Sequence, residues 1–125
     1  MTLLLDTHAF LWWLNEERAL STRARRAISD TGTTVFVSAA TIWEIAIKRS
    51  TGKLDAPTNL IDQVELNQFE PLPISLAHAA TAGSLPMLHN DPFDRMLVAQ
   101  AVAEGLTIVT RDPRITQYGV PTLTA

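Results

Sequence analysis

"MTLLLDTHAF", residues 1–10, runs three leucines, Leu3 to Leu5, directly into Asp6, Thr7 and His8. A short apolar run bounded by polar residues reads as a buried strand. The next residues, Thr7 to Asn15, read as a short helix. A strand that passes straight into a helix starts a β-α unit, and such units build parallel sheets buried on both faces. Asp6 then stands at the carboxyl tip of the first strand, the edge where open α/β sheets bind ligands.

The same alternation continues along the chain. Ser21 caps a helix to about Asp30, and Gly32 closes it. Val35 to Val37 form a second strand, and Ser38 caps a helix to about Ser50. Residues 57–68 read as a helix, Leu72 to Ile74 as a weak strand between prolines, and Ser75 to Gly83 as an alanine-rich helix. A loop, "SLPMLHND", spans residues 84–91. Asp91 caps and Pro92 opens a helix that Gly105 closes. Leu106 to Val109 is a strong strand, and Val120 to Leu123 a short last one. The expected architecture is α/β, with helices on both faces of a parallel sheet.

The 125 residues fit one domain, residues 1–125, long enough to fold around a core without disulfides. There is no cysteine, which removes disulfides, thiolate zinc sites and cysteine nucleophiles and suits a cytoplasmic location. The first apolar run breaks at Asp6, so no signal peptide is expected, and no apolar stretch is long enough to span a bilayer. The net charge of −3 argues against a generally basic nucleic-acid binder. The halves differ: residues 1–54 carry seven Lys and Arg against five Asp and Glu, and residues 55–125 carry three against eight. The cluster Arg18, Arg23, Arg25 and Arg26 reads as a solvated face unless a polyanion is bound.

Three acids approach the ligand edge by direct connection, and a fourth, Asp94, reaches it only if the N-terminus of its helix folds back there. Asp6 ends the first strand. Glu44 lies in the second turn of the helix that leaves the second strand. Asp112 follows "LTIVT" by two residues, and Asp94 lies in the first turn of the helix that feeds that strand. Three have ordinary structural readings: Asp6 as a helix cap, Asp94 as a first-turn acid, Asp112 as a turn former before proline. Glu44 is harder to explain that way. Ile42, Trp43, Ile45, Ala46 and Ile47 surround it, and Thr41, Glu44 and Lys48 form one polar stripe. A surface Glu44–Lys48 pair would add about 0.3–0.5 kcal/mol. In a mostly buried helix, however, a lone carboxylate is costly unless a cation meets it. Several carboxylates without a Cys or His ligand suit a hard divalent ion, which can activate water against a phosphodiester.

The ordered set "LLLDTHAFLWWL", "VFVSAATIWEIAIKRSTGKL", "HNDPFDRMLVAQA" and "LTIVTRD" resembles PIN-domain ribonucleases, and within them the VapC-like toxins of type II toxin–antitoxin modules. The resemblance implies a three-layer α/β/α sandwich with a five-stranded, mostly parallel sheet. It implies a Mg²⁺- or Mn²⁺-dependent endoribonuclease acting on RNA, a homodimer, and a small cognate antitoxin as partner. The family's four acids fall on Asp6, Glu44, Asp94 and Asp112, as catalytic and metal-binding residues. Thr7 and Thr110 match its hydroxyl positions, here read as substrate-binding. "DPFD" offers two acids; Asp94 matches the family's helix in phase, while Asp91 has a capping role and can touch the metal site through water.

Trp13 joins Phe10 and Leu14 on a core face, which leaves Trp12 either as an interface residue or, with Trp13, under a flanking helix. His8 and His89 read as rim residues, and His78 has no assigned role. Other classes fit less well. A response-regulator receiver needs paired acids after the first strand and a late lysine, but no lysine follows Lys53. A haloacid-dehalogenase-type phosphatase needs a second Asp where His8 stands. A non-catalytic α/β binding module, with the acids kept for capping, is the remaining alternative, and it gives Glu44 no role.

Overall fold

The computed structural model describes all residues, Met1–Ala125. In chain order the elements are β1 Thr2–Leu5, α1 Thr7–Leu14, α2 Thr22–Ser29, β2 Thr34–Ser38, α3 Ala39–Ser50, α4 Leu60–Leu66, β3 Glu70–Leu72, α5 Leu76–Ser84, α6 Pro92–Glu104, β4 Thr107–Thr110, α7 Pro113–Thr116 and β5 Thr122–Thr124. The strands form one sheet in the order β3-β2-β1-β4-β5, and every neighbouring pair is parallel.

Alternation along each strand makes the three layers. Leu3, Leu5, Val35, Val37 and Val109 point to a core shared with Phe10, Leu11, Ala24, Ile45 and Val64, from α1 to α4. Leu4 and Ile108 point the other way, onto Leu97, Val98 and Ala101 of α6, with Phe36 packed against them. Leu4 lies opposite both Phe36 and Ile108, so the central strand buries both faces. The leucine run needs no polar alternation for that reason.

Small polar residues start the helices. Ser21, Ser38 and Ser75 each accept a backbone N–H of the following turn at 3.0 Å. Ser75 forms a reciprocal capping box with His78, whose Nδ1 accepts the Ser75 amide at 3.1 Å and whose Nε2 meets Glu104 at 2.9 Å. His78, unassigned from sequence, is thus structural. Gly105, at φ 68°, ends α6 in the left-handed conformation.

The sequence reading needs four adjustments. β3 lies at Glu70–Leu72, two residues earlier than expected, because it is an edge strand, where Pro71 is tolerated, and it stops before Pro73. α4 starts only at Leu60, and the carbonyl of Pro57 instead accepts Arg49 Nη1 at 2.6 Å. The last strand begins at Thr122. The short α7 was not anticipated, since four residues carry no periodicity.

Candidate active site

The sheet order reverses direction between β1 and β4, the topological switch point where a crevice opens outside the carboxyl ends of the strands. Asp6 and Asp112 leave from those two strand ends. The Asp6 amide donates to Val109 O at 3.1 Å, tying its backbone to β4. α3 leaves β2 at the same edge and carries Glu44 in its second turn. α6 feeds β4, so it runs antiparallel to the strands and begins at this edge with Asp94 in its first turn. Topology therefore delivers Asp94 to the other three.

All four acids line one cavity of about 360 Å³, together with Asp91, Thr7, His8, Trp12, Lys48, Arg111 and Arg114. Five carboxylates face three cations there, a site of net negative formal charge. Three of the five also cap helices. Asp6 Oδ1 accepts Ala9 N at 2.8 Å, Asp91 Oδ1 accepts Phe93 N at 2.8 Å and Asp94 N at 3.1 Å, and Asp112 Oδ1 accepts Arg114 N at 2.9 Å. Glu44 and Asp94 cap nothing.

Glu44 is 5% exposed. Thr7 Oγ1 donates to its Oε1 at 2.5 Å, and Lys48 Nζ to its Oε2 at 2.5 Å. The Glu44–Lys48 pair exists, but Glu44 sits inside the cavity wall, not on a solvated face. The helix is buried along Ala40, Thr41, Glu44 and Ile45, while Trp43 is 59% and Ile47 39% exposed. The helix is thus buried along one stripe only, which carries the polar Thr41 and Glu44 beside Ala40 and Ile45, and is not the mostly buried helix expected from its sequence.

His89 is a correction of the same kind. It is buried, not a rim residue. Its Nδ1 accepts the Asp91 amide at 3.3 Å, which assigns the ring proton to Nε2. Nε2 lies 2.8 Å from Asp94 Oδ2 and 3.5 Å from Asp112 Oδ2. One imidazole thus spans two of the acids. The ring nitrogen and the Asp94 and Asp112 carboxylates lie within 4.8 Å of one another, but with Nδ1 engaged and Nε2 protonated His89 orients the two carboxylates and does not itself offer a ligand atom. Sequence reasoning missed His89, although "HNDPFD" places it five residues before Asp94.

The two threonines act on the acids. Besides Thr7 on Glu44, Thr110 Oγ1 accepts the Asp112 amide at 3.0 Å and fixes the turn after β4. Trp12 is not a free surface aromatic. Its ring stacks with His8, centroids 5.7 Å apart, and carries the Arg111 guanidinium 4.6 Å from its centroid. Trp13 packs against Phe69 and donates Nε1–H to Asn67 at 2.9 Å.

The electrostatics follow from burial and crowding. Burial raises the Asp6 carboxyl above its ordinary 3.8, against the lowering bonds from the Ala9 amide and Thr110. Burial, then the nearby Asp91 charge, push Asp94 up to about 7, although the His89 bond opposes them. Burial also disfavours the Asp112 charge, but the amide and guanidinium of Arg114 outweigh it and hold that carboxyl low. Glu44 holds the Lys48 ammonium high. Clustered carboxylates that resist joint ionisation are a donor set suited to a divalent cation.

A family model described as PIN domain matches residues 3–121 of this chain. Ribonuclease VapC22 of Mycobacterium tuberculosis is 29% identical over 123 residues, covering 96% of this chain and 94% of its own. Among solved structures, VapBC2 from Rickettsia felis, bound to a promoter DNA fragment, is similar with a TM-score of 0.69 at 16% identity, covering 98% of each chain. FitAcB from Neisseria gonorrhoeae has a TM-score of 0.68 at 21% identity, covering 98% of this chain and 96% of its own. At these identities the two structures speak to the fold alone.

Proposed function

This chain belongs to the PIN-domain family, and on that premise we propose that it is a divalent-metal-dependent endoribonuclease, the toxin of a toxin–antitoxin pair. The observation that carries the proposal is the meeting of Asp6, Glu44, Asp94 and Asp112, from four separate segments, in one negatively charged cavity. Capping explains Asp6, Asp91 and Asp112 but neither Glu44 nor Asp94, which weighs against a non-catalytic module.

In this reading the four acids hold Mg²⁺ or Mn²⁺, with Asp91 in reach through water. Such an ion, when bound, lowers the pKa of a water and stabilises the charge that develops on a phosphodiester. The chain's own groups prepare the site. His89 keeps Asp94 and Asp112 at a common distance, and Thr110 fixes the turn that bears Asp112. Thr7 orients Glu44 and, at the cavity wall, adds a hydroxyl for the substrate; Thr110 serves substrate only through the acids it positions. The exposed Arg18, Arg23 and Arg26 supply charge to attract an RNA backbone to a net-negative protein.

The partners in this reading are RNA, a small antitoxin and a second copy of the chain. The relatives whose names are those of two-component complexes support the antitoxin. An apolar groove lined by Val37, Ile42, Trp43, Ile61 and Pro71 beside edge strand β3 offers a surface for protein contact. No helix is long and apolar enough to cross a membrane. We assign residues 1–125 to one domain working in the cytoplasm, where its RNA would be.

The test has two arms. Purified protein should cut RNA in Mn²⁺ and stop in EDTA. Expression alone should arrest growth, and co-expression with the adjacent small reading frame should restore it. Cutting without any effect on growth would keep the nuclease and remove the toxin.

A further inference from the structure

Three cations line the acidic cavity, and they are held differently. Arg111 donates to the carbonyl oxygens of Ala19 and Ala125 and lies over the Trp12 ring. Arg114 is exposed and holds Asp112 through Nε and Nη2, both at 3.3 Å. Lys48 differs. Its ammonium makes one bond, to Glu44 Oε2 at 2.5 Å, and leaves two of its three N–H donors unused.

The pair is asymmetric. The side chain of Glu44 is 6% exposed and that of Lys48 39%, so the carboxylate is the inner partner and the ammonium faces the cavity mouth. Helical side chains lean toward the N-terminus. α3 begins at the ligand edge, so Lys48 reaches back toward the acids from one turn below Glu44. Glu44 also has a second holder, the Thr7 hydroxyl at 2.5 Å. Lys48 is therefore not needed to orient it. What the buried carboxylate does need is a positive charge nearby, and a divalent ion among the four acids would supply one.

We propose that Lys48 is the phosphate-gripping residue of this site, its ammonium exchanging Glu44 for a phosphate oxygen of the RNA backbone when a divalent cation neutralises that carboxylate. The inference rests on the nuclease reading and adds a residue to it. Lysine suits the role as a mobile point charge on a flexible stem, able to move between two anionic partners a few ångströms apart.

The experiment compares wild type, Lys48→Met and Lys48→Arg. A labelled mixed-sequence single-stranded RNA is bound in Ca²⁺ between 50 and 200 mM salt, and Mn²⁺ binding is measured separately without RNA. A lysine that meets a phosphate releases a counterion. Lys48→Met should therefore flatten the slope of log K against log salt by about 0.7, with Lys48→Arg keeping it. Mn²⁺ should bind Lys48→Met at least as tightly as wild type, because a competing cation has gone. An unchanged salt slope in Lys48→Met, or weakened Mn²⁺ binding with that slope intact, would make Lys48 a mere support for Glu44 and overturn the proposal. Wild type that neither binds nor cuts RNA would instead sink the nuclease reading itself.

Discussion

Nε2 of His89 lies 2.8 Å from Oδ2 of Asp94. That bond lowers the Asp94 carboxyl against burial and Asp91, which together push it to about 7. Replacing His89 with alanine should raise the Asp94 titration further and loosen its spacing from Asp112. Activity should fall about 10–100-fold, as when the outer partner of a metal ligand is removed. Carboxyl NMR of Asp94 with cleavage rates checks this. An Asp94 titration indifferent to the change would make His89 a packing residue.

Glu44 and Asp91 separate function from capping. Glu44→Gln keeps the shape and leaves Lys48 free to turn to solvent, so the melting temperature should hardly move while cleavage drops by two orders of magnitude or more, about what losing one electrostatic group costs. Asp91→Ala removes the acceptor of the Phe93 and Asp94 amides and should cost about 0.5–2 kcal/mol, with cleavage largely retained. Urea denaturation beside cleavage assays distinguishes them. If Asp91→Ala folds normally and is inert, the third acid is Asp91.

Much of this was legible in the sequence because it is local. Leu3 to Leu5 with Val35 to Val37 identify strands buried on both faces, and Glu44 stands out as a carboxylate in an apolar helix. Asp94 was legible only through the family resemblance: by position alone it reads as a first-turn acid, and its arrival at the edge depends on where the start of α6 lies in the folded sheet. His89 was not legible. Its burial depends on how the 84–91 loop folds back, where Tyr118 Oη, 29 residues away in sequence, accepts its amide at 3.1 Å. The setting of Trp12 was not legible either, because its partial cover, Arg111, comes from the far end of the chain. The exposure of Trp43 depends on which faces of α3 its neighbours occupy, which periodicity alone does not say.

Arg111 joins segments distant in sequence. Its Nε donates to Ala125 O at 3.1 Å, Nη2 reaches Ala19 O, and the guanidinium plane covers Trp12. Lysine cannot reproduce that fork. Arg111→Lys should destabilise the fold by about 1.5–3 kcal/mol, the range for bonds to a charged donor. Thermal and urea unfolding measure it, and no loss of stability would mean that these contacts are not maintained in solution.

The raised carboxyls set a pH dependence with a definite sign. Asp94, at about 7, holds its proton in the folded state well above its ordinary 3.8. Its contribution is therefore fully present below that ordinary value and lost as pH rises through about 7. Asp6, also raised, acts in the same direction. Asp112 is lowered, so its contribution is lost only in acid. EDTA-treated protein should melt at a lower temperature at pH 8 than at pH 5.5. Mn²⁺ should reverse that loss, adding about 2.7 kcal/mol at a hundredfold excess over Kd. Asp94→Asn should flatten both effects. Melting that does not change between pH 5.5 and 8, with or without Mn²⁺, would mean that burial and crowding do not raise these carboxyls.

The most direct test of the nuclease is the chemistry of its products. Purified, antitoxin-free protein is incubated with total RNA in Mn²⁺, in EDTA, and as Asp6→Asn in Mn²⁺, and the cut ends are sequenced. Water attack at a metal held by Asp6, Glu44, Asp94 and Asp112 predicts fragments with a 5′-phosphate and a 3′-hydroxyl, formed only by wild type in Mn²⁺. Cleavage that persists in EDTA or in Asp6→Asn, or fragments ending in a 2′,3′-cyclic phosphate, would contradict it.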